Sequence, residues 1–187
     1  MSGQDAKALV DLRRDYLASS TEGMPIAGFI AWAALAVISW RLGDAMPPWV
    51  AFSAAAAPFP LSILIDKLRG AKGISTESRH NPLTQLFMRF IFVIALIIPF
   101  VIFSAIAAKS IALLVLGLAI LAGMIWVPHG WAADDKAGMI HFVIRCALCF
   151  GAYLFVPAPM QTAAIAGAAA LTYVYAIWAM KKPRDAR

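Results

Sequence analysis

Residues 126–149 read WVPHGWAADDKAGMIHFVIRCALC, and this stretch decides the fold. Two long apolar segments meet there across a short acidic turn, Asp134-Asp135. The second segment carries Arg145 deep inside a run of membrane-spanning length, with His141, Cys146 and Cys149 on the same helix. Hydrocarbon cannot solvate a guanidinium, so an arginine at that depth implies a helix with a protein-facing or water-facing side. The stretch belongs to a multi-span membrane protein.

The rest of the chain agrees. Of its 187 residues, 62% are hydrophobic and 14% charged, against about 45–50% and about 25% in soluble domains. Mean hydropathy is +0.78. Apolar runs of about 20 residues, enough to cross a hydrocarbon core about 30 Å thick, recur along the whole length. Residues 1–23 are polar and of mixed charge, without the basic start and short apolar core of a cleavable signal. The pI near 9.6 does not point to nucleic acid, because the basic residues gather at the ends of apolar runs.

Six spans are predicted, at about 24–40, 49–65, 83–107, 111–127, 137–156 and 161–180, in an all-α membrane domain covering 24–180. Before them, residues 6–17 place Leu9, Leu12 and Tyr16 at helical spacing among charges, the pattern of an amphipathic helix on a membrane surface. Pro58 and Pro60 remove backbone donors near the middle of the second span, so a kink or break is expected there. Residues 66–82 read as the one long polar loop, and the tail 181–187, KKPRDAR, as a basic and mobile end. Ala27-xxx-Ala31, Ala119-xxx-Gly123 and Ala163-xxx-Gly167 would let helix backbones approach closely.

Charge sets the expected topology. With six spans, one side holds Lys7, Arg13, Arg14, Lys67, Arg69, Lys72, Arg79, Arg89, Lys136, Lys181, Lys182, Arg184 and Arg187; the other holds Arg41 and Lys109. That bias predicts both termini in the cytoplasm of a bacterium, with the chain in its inner membrane.

Three polar stripes fall in the same half. Gly138, His141, Arg145 and Cys149 share a face of the fifth span; Asn81, Gln85 and Arg89 open the third; Ser62 and Asp66 close the second. If all three faced one cytoplasm-facing cavity, Arg145, Arg89, Asp66, His141 and Gln85 would line it, with Asp66 as counter-ion. The excess positive charge would suit an anionic or amphipathic ligand such as a carboxylate, a phosphate or a lipid headgroup. An arginine at the bilayer centre costs about 2.5–3.5 kcal/mol. Arg89, roughly 9 Å into its helix, can relieve that cost by snorkelling, whereas Arg145, roughly 13 Å past Lys136, relieves it less easily. An interfacial anchor is the alternative for either.

Other chemistry finds less support. His129, Asp134, Asp135 and His141 match no zinc spacing, Cys146-xx-Cys149 lies mid-helix where thiolates are not stabilised, and no nucleotide or hydrolase motif occurs. No metal or cofactor is expected. A transporter- or channel-like protein is the first functional expectation. An intramembrane enzyme acting on a lipid or isoprenoid through His129, His141, Asp134 or Asp135 is the second. A partner subunit that presents the Arg145 stripe to another chain is the third. Membrane lipids and further copies of the chain are the expected partners, since so short a chain makes a thin bundle.

Several short motifs point the same way: LRRDY, then GMPI and a tryptophan in the first span, FP near LIDKL in the second, NPL opening the third, and Gly123 with Pro128-xx-Trp131 after the fourth. Across most of residues 9–150 the chain resembles an uncharacterised family of bacterial six-span membrane proteins, one of the domain-of-unknown-function families. The resemblance implies the six-span architecture and no activity. The family pattern implies a histidine just before that proline, where this chain has Ile125, with His129 just after it.

Overall fold

The computed structural model describes residues 3–71 and 76–186, and these form helices and turns without a strand. Lys72 and Arg187, two of the cations counted above, lie outside the described residues. After an N-terminal helix α1 (Gly3–Ala18) come α2 (Met24–Leu42), α3 (Pro48–Ala56), α4 (Pro58–Leu68), α5 (Pro82–Ala107), α6 (Ile111–Met124), α7 (Trp126–Ala132), α8 (Ala137–Phe155) and α9 (Gln161–Ala179). Among the described residues five segments are long and apolar enough to cross a membrane, α6 and α7 counting as one, and the bent pair α3–α4 makes a sixth if it is one span.

The prolines act as expected in α3–α4. Pro58 and Pro60 cannot donate to the carbonyls one turn earlier, and the pair bends by about 40° at Ala57. The pair nevertheless returns the chain to the end of the bundle where α2 began. Asp66 near the end of α4 accepts from the backbone N–H groups of Gly23 (2.7 Å) and Glu22 (3.2 Å) at the start of α2. Helix α4 runs past the predicted boundary to Leu68, then stops at Gly70. That residue takes φ +66°, while the N–H groups of Gly70 and Ala71 bond back to Lys67 and Asp66. A left-handed residue with these two bonds closes a helix end, and glycine alone adopts it without strain.

The fourth span is also longer than expected. The expected end was near 127, but the helix is only interrupted at Ile125, three residues before Pro128, and α7 continues to Ala132. Backbone packing holds the extra turns in place. Gly130 and Gly138 face each other, and a Cβ on Gly138 would overlap the carbonyl oxygen of Trp126. Asp135 then caps the next helix, accepting from Ala137 N–H at 2.9 Å.

The core lies between α2, α6, α8 and α9. Small residues bring α2 and α9 together: Ala27, Ala31, Ala166 and Ala169 are buried, and the Tyr173 ring fills the space a Cβ on Gly28 would occupy. Helix α6 is apolar around its whole circumference and buried on most sides, as a central helix must be. Helix α5 is peripheral. Phe92, Leu96, Phe100 and Phe103 are exposed along it and face outward, where hydrocarbon would lie.

The terminal segments depart most from expectation. Helix α1 packs against the bundle as well as carrying a charged face: Tyr16 and Leu17 are buried with Leu83, Ala132 and Ala133. Arg13 pairs with Asp134 at 2.9 Å, and Asn81, which caps α5 through Leu83 N–H, also donates to the Leu12 carbonyl at 2.8 Å. The tail is anchored rather than mobile. Lys181 donates its backbone N–H to Asp135 (2.7 Å) and its ammonium to the Asp134 carbonyl, and Pro183 is buried beneath a short helical turn, Pro183–Ala186, that contacts α1. The acidic turn supplies the anchor. Both termini therefore meet at one end of the bundle.

Candidate functional site

Helix α8 buries one face. His141, Arg145 and Cys149 are each fully buried at steps of four, because α8 is covered there by α6, α7 and α9. Gly123 on α6 leaves room for the Arg145 stem; a Cβ there would press on Arg145 Cδ. The guanidinium then reaches α9. Its Nε donates to Thr172 Oγ1 (3.1 Å), Nη2 to the Ala169 carbonyl (2.9 Å), and Nη1 lies 3.5 Å from the Tyr173 hydroxyl. The charge sits 4.4 Å from the Tyr173 ring centroid and 5.6 Å from that of Trp32 on α2. Among the described residues no carboxylate pairs with it; dipoles and ring faces stabilise the cation instead.

His141, one turn away, has no hydrogen-bond partner at either ring nitrogen. Its ring centroid lies 5.4 Å from those of both Trp126 and Tyr173. The Trp32 Nε1 is likewise buried without a partner.

The other predicted lining residues are elsewhere. Asp66 is buried, but its carboxylate holds the Glu22 and Gly23 N–H groups of the link into α2 and is not the counter-ion of Arg145 or Arg89. Gln85 and Arg89 are exposed on peripheral α5, and Gln85 donates to the Arg79 carbonyl. The three stripes therefore do not converge on one cavity: helical spacing put each on one face of its own helix, but α5 turns that face outward. The Arg145 stripe is enclosed by this chain's own helices, so it is not displayed to another chain. The residues considered for acid–base work hold separate positions. His129 Nδ1 shares a 3.0 Å hydrogen bond with the Tyr16 hydroxyl, Asp134 holds Arg13, and Asp135 caps α8. Burial pushes the Tyr16 phenol above its ordinary pKa, which keeps that hydroxyl neutral.

One cavity was not foreseen. A pocket of about 100 Å³ opens at the end where the termini meet, bounded by Ser20–Glu22, Pro25, Ile26, Arg69, Trp126, His129, Ala176, Ile177 and Met180–Pro183. Arg69, Lys181 and Lys182 bring three cations to it; Glu22 brings one carboxylate, 3.9 Å from Arg69. Trp126, Ile26 and Ala176 form its apolar wall. Arg69 and Lys181 each follow the last turn of a helix, where cations complement the helix dipole. That was the only available signal, and it does not reveal that the ends of α4 and α9 converge beside the start of α2.

A chain of rings leads inward from this pocket. His129 packs on Trp126 (centroids 5.5 Å), Trp126 on His141 (5.4 Å), and His141 on Tyr173, which lies against Arg145. Comparison with known proteins gives a family and no activity: a family of unknown function, DUF7010, matches residues 9–182. No curated protein and no solved structure matches the chain.

Proposed function

We propose that this chain, which belongs to the DUF7010 family, is a small transporter-like membrane protein that binds an anionic, amphipathic ligand in the pocket between its terminal segments. The observation that carries the reading is the pocket's lining: three cations and one carboxylate at the mouth, tryptophan and aliphatic side chains behind them. A phosphate or carboxylate would pair with Arg69 and Lys182, and an attached apolar portion would lie against Trp126 and Ile26. Arginine suits such a group because its planar fork can donate two bonds to one oxyanion. The volume of about 100 Å³ suits the headgroup and not a whole lipid, so the acyl portion would leave the pocket along the helices.

The charge bias along the sequence favours a mouth on the cytoplasmic side of a bacterial inner membrane, where anionic headgroups would be plentiful.

The test is thermal unfolding of the detergent-solubilised protein titrated with inorganic phosphate and, separately, with a short-chain phosphatidic acid. Stabilisation that saturates, and that is lost in the Arg69→Gln/Lys182→Gln double variant, supports the reading. A shift with phosphatidic acid alone identifies the ligand as a lipid; a shift with both identifies the phosphate group as sufficient. Equal behaviour of the double variant and the parent overturns the proposal.

A further inference from the structure

One side chain separates the pocket from the buried face of α8. Trp126 lines the pocket on one side, while its ring packs against His141 and, at a centroid separation of 6.2 Å, against Tyr173. Behind it lie His141, with two unpartnered ring nitrogens, and Arg145, whose cation meets no carboxylate among the described residues. Buried polar groups are normally satisfied, so a histidine without a partner one turn from a guanidinium that is hydrogen-bonded but faces no carboxylate is unusual. The unpartnered Trp32 Nε1 belongs to the same packed group, its ring lying against Arg145.

We propose, on the basis of the pocket reading above, that His141 and Arg145 form an inner station for the same anionic group, entered when the indole of Trp126 swings aside. The chemistry of the station selects an anion. The Arg145 guanidinium attracts an anion, and His141 and Trp32 add N–H donors, whereas a second cation would be repelled by that guanidinium. Cys149, a further turn along α8, marks the deeper end of the stripe, roughly 12 Å from His141 along the helix axis. The movement asked of Trp126 is one of its side chain, since its carbonyl oxygen is packed against Gly138. Trp126 follows the interruption at Ile125, where Pro128 leaves the Met124 carbonyl without its usual helical donor. Below the interruption, Gly130 against Gly138 fixes α7 to α8, so the indole can turn while the rest of α7 stays seated.

The two cysteines of the chain provide the probe. In a Cys146→Ser background, Cys149 is treated with anionic and cationic methanethiosulfonate reagents of similar size, with and without inorganic phosphate. The expected result is slow labelling of the parent and much faster labelling once Trp126→Ala opens the passage. The anionic reagent should be favoured by about tenfold or more, as a unit charge in a poorly screened site dictates. Phosphate should slow the reaction, and His141→Phe should weaken both the phosphate protection and the preference for the anion. Trp126→Leu serves if the alanine variant does not fold. Cys149 that stays unlabelled in a folded Trp126 variant, or that reacts equally with both reagents, overturns the inner station. Failure of the outer pocket is read separately, as loss of phosphate-dependent stabilisation in the parent protein.

Discussion

Helices α5 and α8 carry nearly the same polar pattern and use it in opposite ways. Each has polar residues at steps of four ending on an arginine within a membrane-length run: Asn81, Gln85 and Arg89 on one, His141 and Arg145 on the other. Arg89 points outward from a helix with few neighbours, whereas Arg145 is fully buried between helices on three sides. The difference shows what spacing can and cannot settle. A period of 3.6 places residues on a common face; only the packing of neighbours decides whether that face meets hydrocarbon, headgroups or protein.

The sharpest way to break this comparison is to remove each arginine. Arg145→Ala removes the bonds to Thr172 and Ala169 and empties a packed site, so unfolding in detergent should become easier by about 2–4 kcal/mol. Arg89→Ala should fall within about 0.5 kcal/mol of the parent. Equal effects would mean that the inward and outward assignments are wrong. Arg145→Lys should recover only part of the loss, because an ammonium cannot reproduce the fork.

Glycines sharpen the same contrast. Gly28→Ala pushes a methyl group into the Tyr173 ring at the α2–α9 contact and should destabilise by about 1–3 kcal/mol. Gly151→Ala on α8 meets no neighbouring atom and should be neutral or stabilising by up to about 1 kcal/mol. Thermal unfolding of the two variants side by side checks both signs. At the helix ends, Asp66→Ala should cost about 1–2 kcal/mol by leaving the Glu22 and Gly23 N–H groups that lead into α2 without their acceptor. The exposed Arg13–Asp134 pair should matter least. Arg13→Ala should cost under about 1 kcal/mol and show a smaller effect in high salt.

Much of the fold was legible. Span limits set by Pro25, Pro82 and Ser110, the break at Pro58, and the small residues between α2 and α9 all follow from local chemistry that a sequence displays. The misreadings share a cause. The fourth span was set to end near 127 because the close approach of Gly130 to Gly138, which carries the helix onward, joins residues on two different helices. KKPRDAR looked like a loose tail because its anchors, Asp134 and Asp135, lie 47 and 46 residues from Lys181 in sequence. Asp66 looked like a counter-ion, since nothing local shows that its carboxylate meets the N–H groups of Glu22 and Gly23 just before α2. The site was less legible than the fold for the same reason. His141 and Arg145 could be placed on one face, but the pocket is assembled from the α1–α2 link, the end of α4, α7 and the tail, and no spacing reports that convergence.

The central claim, that the pocket between the terminal segments holds an anionic headgroup, is tested most directly by native mass spectrometry of the protein released from its membrane extract. The expected spectrum shows a bound anionic phospholipid or phosphorylated amphiphile on the parent chain and its loss from the Arg69→Gln/Lys182→Gln variant. Retention of the same species by that variant, or a parent chain carrying only zwitterionic lipid, would contradict it.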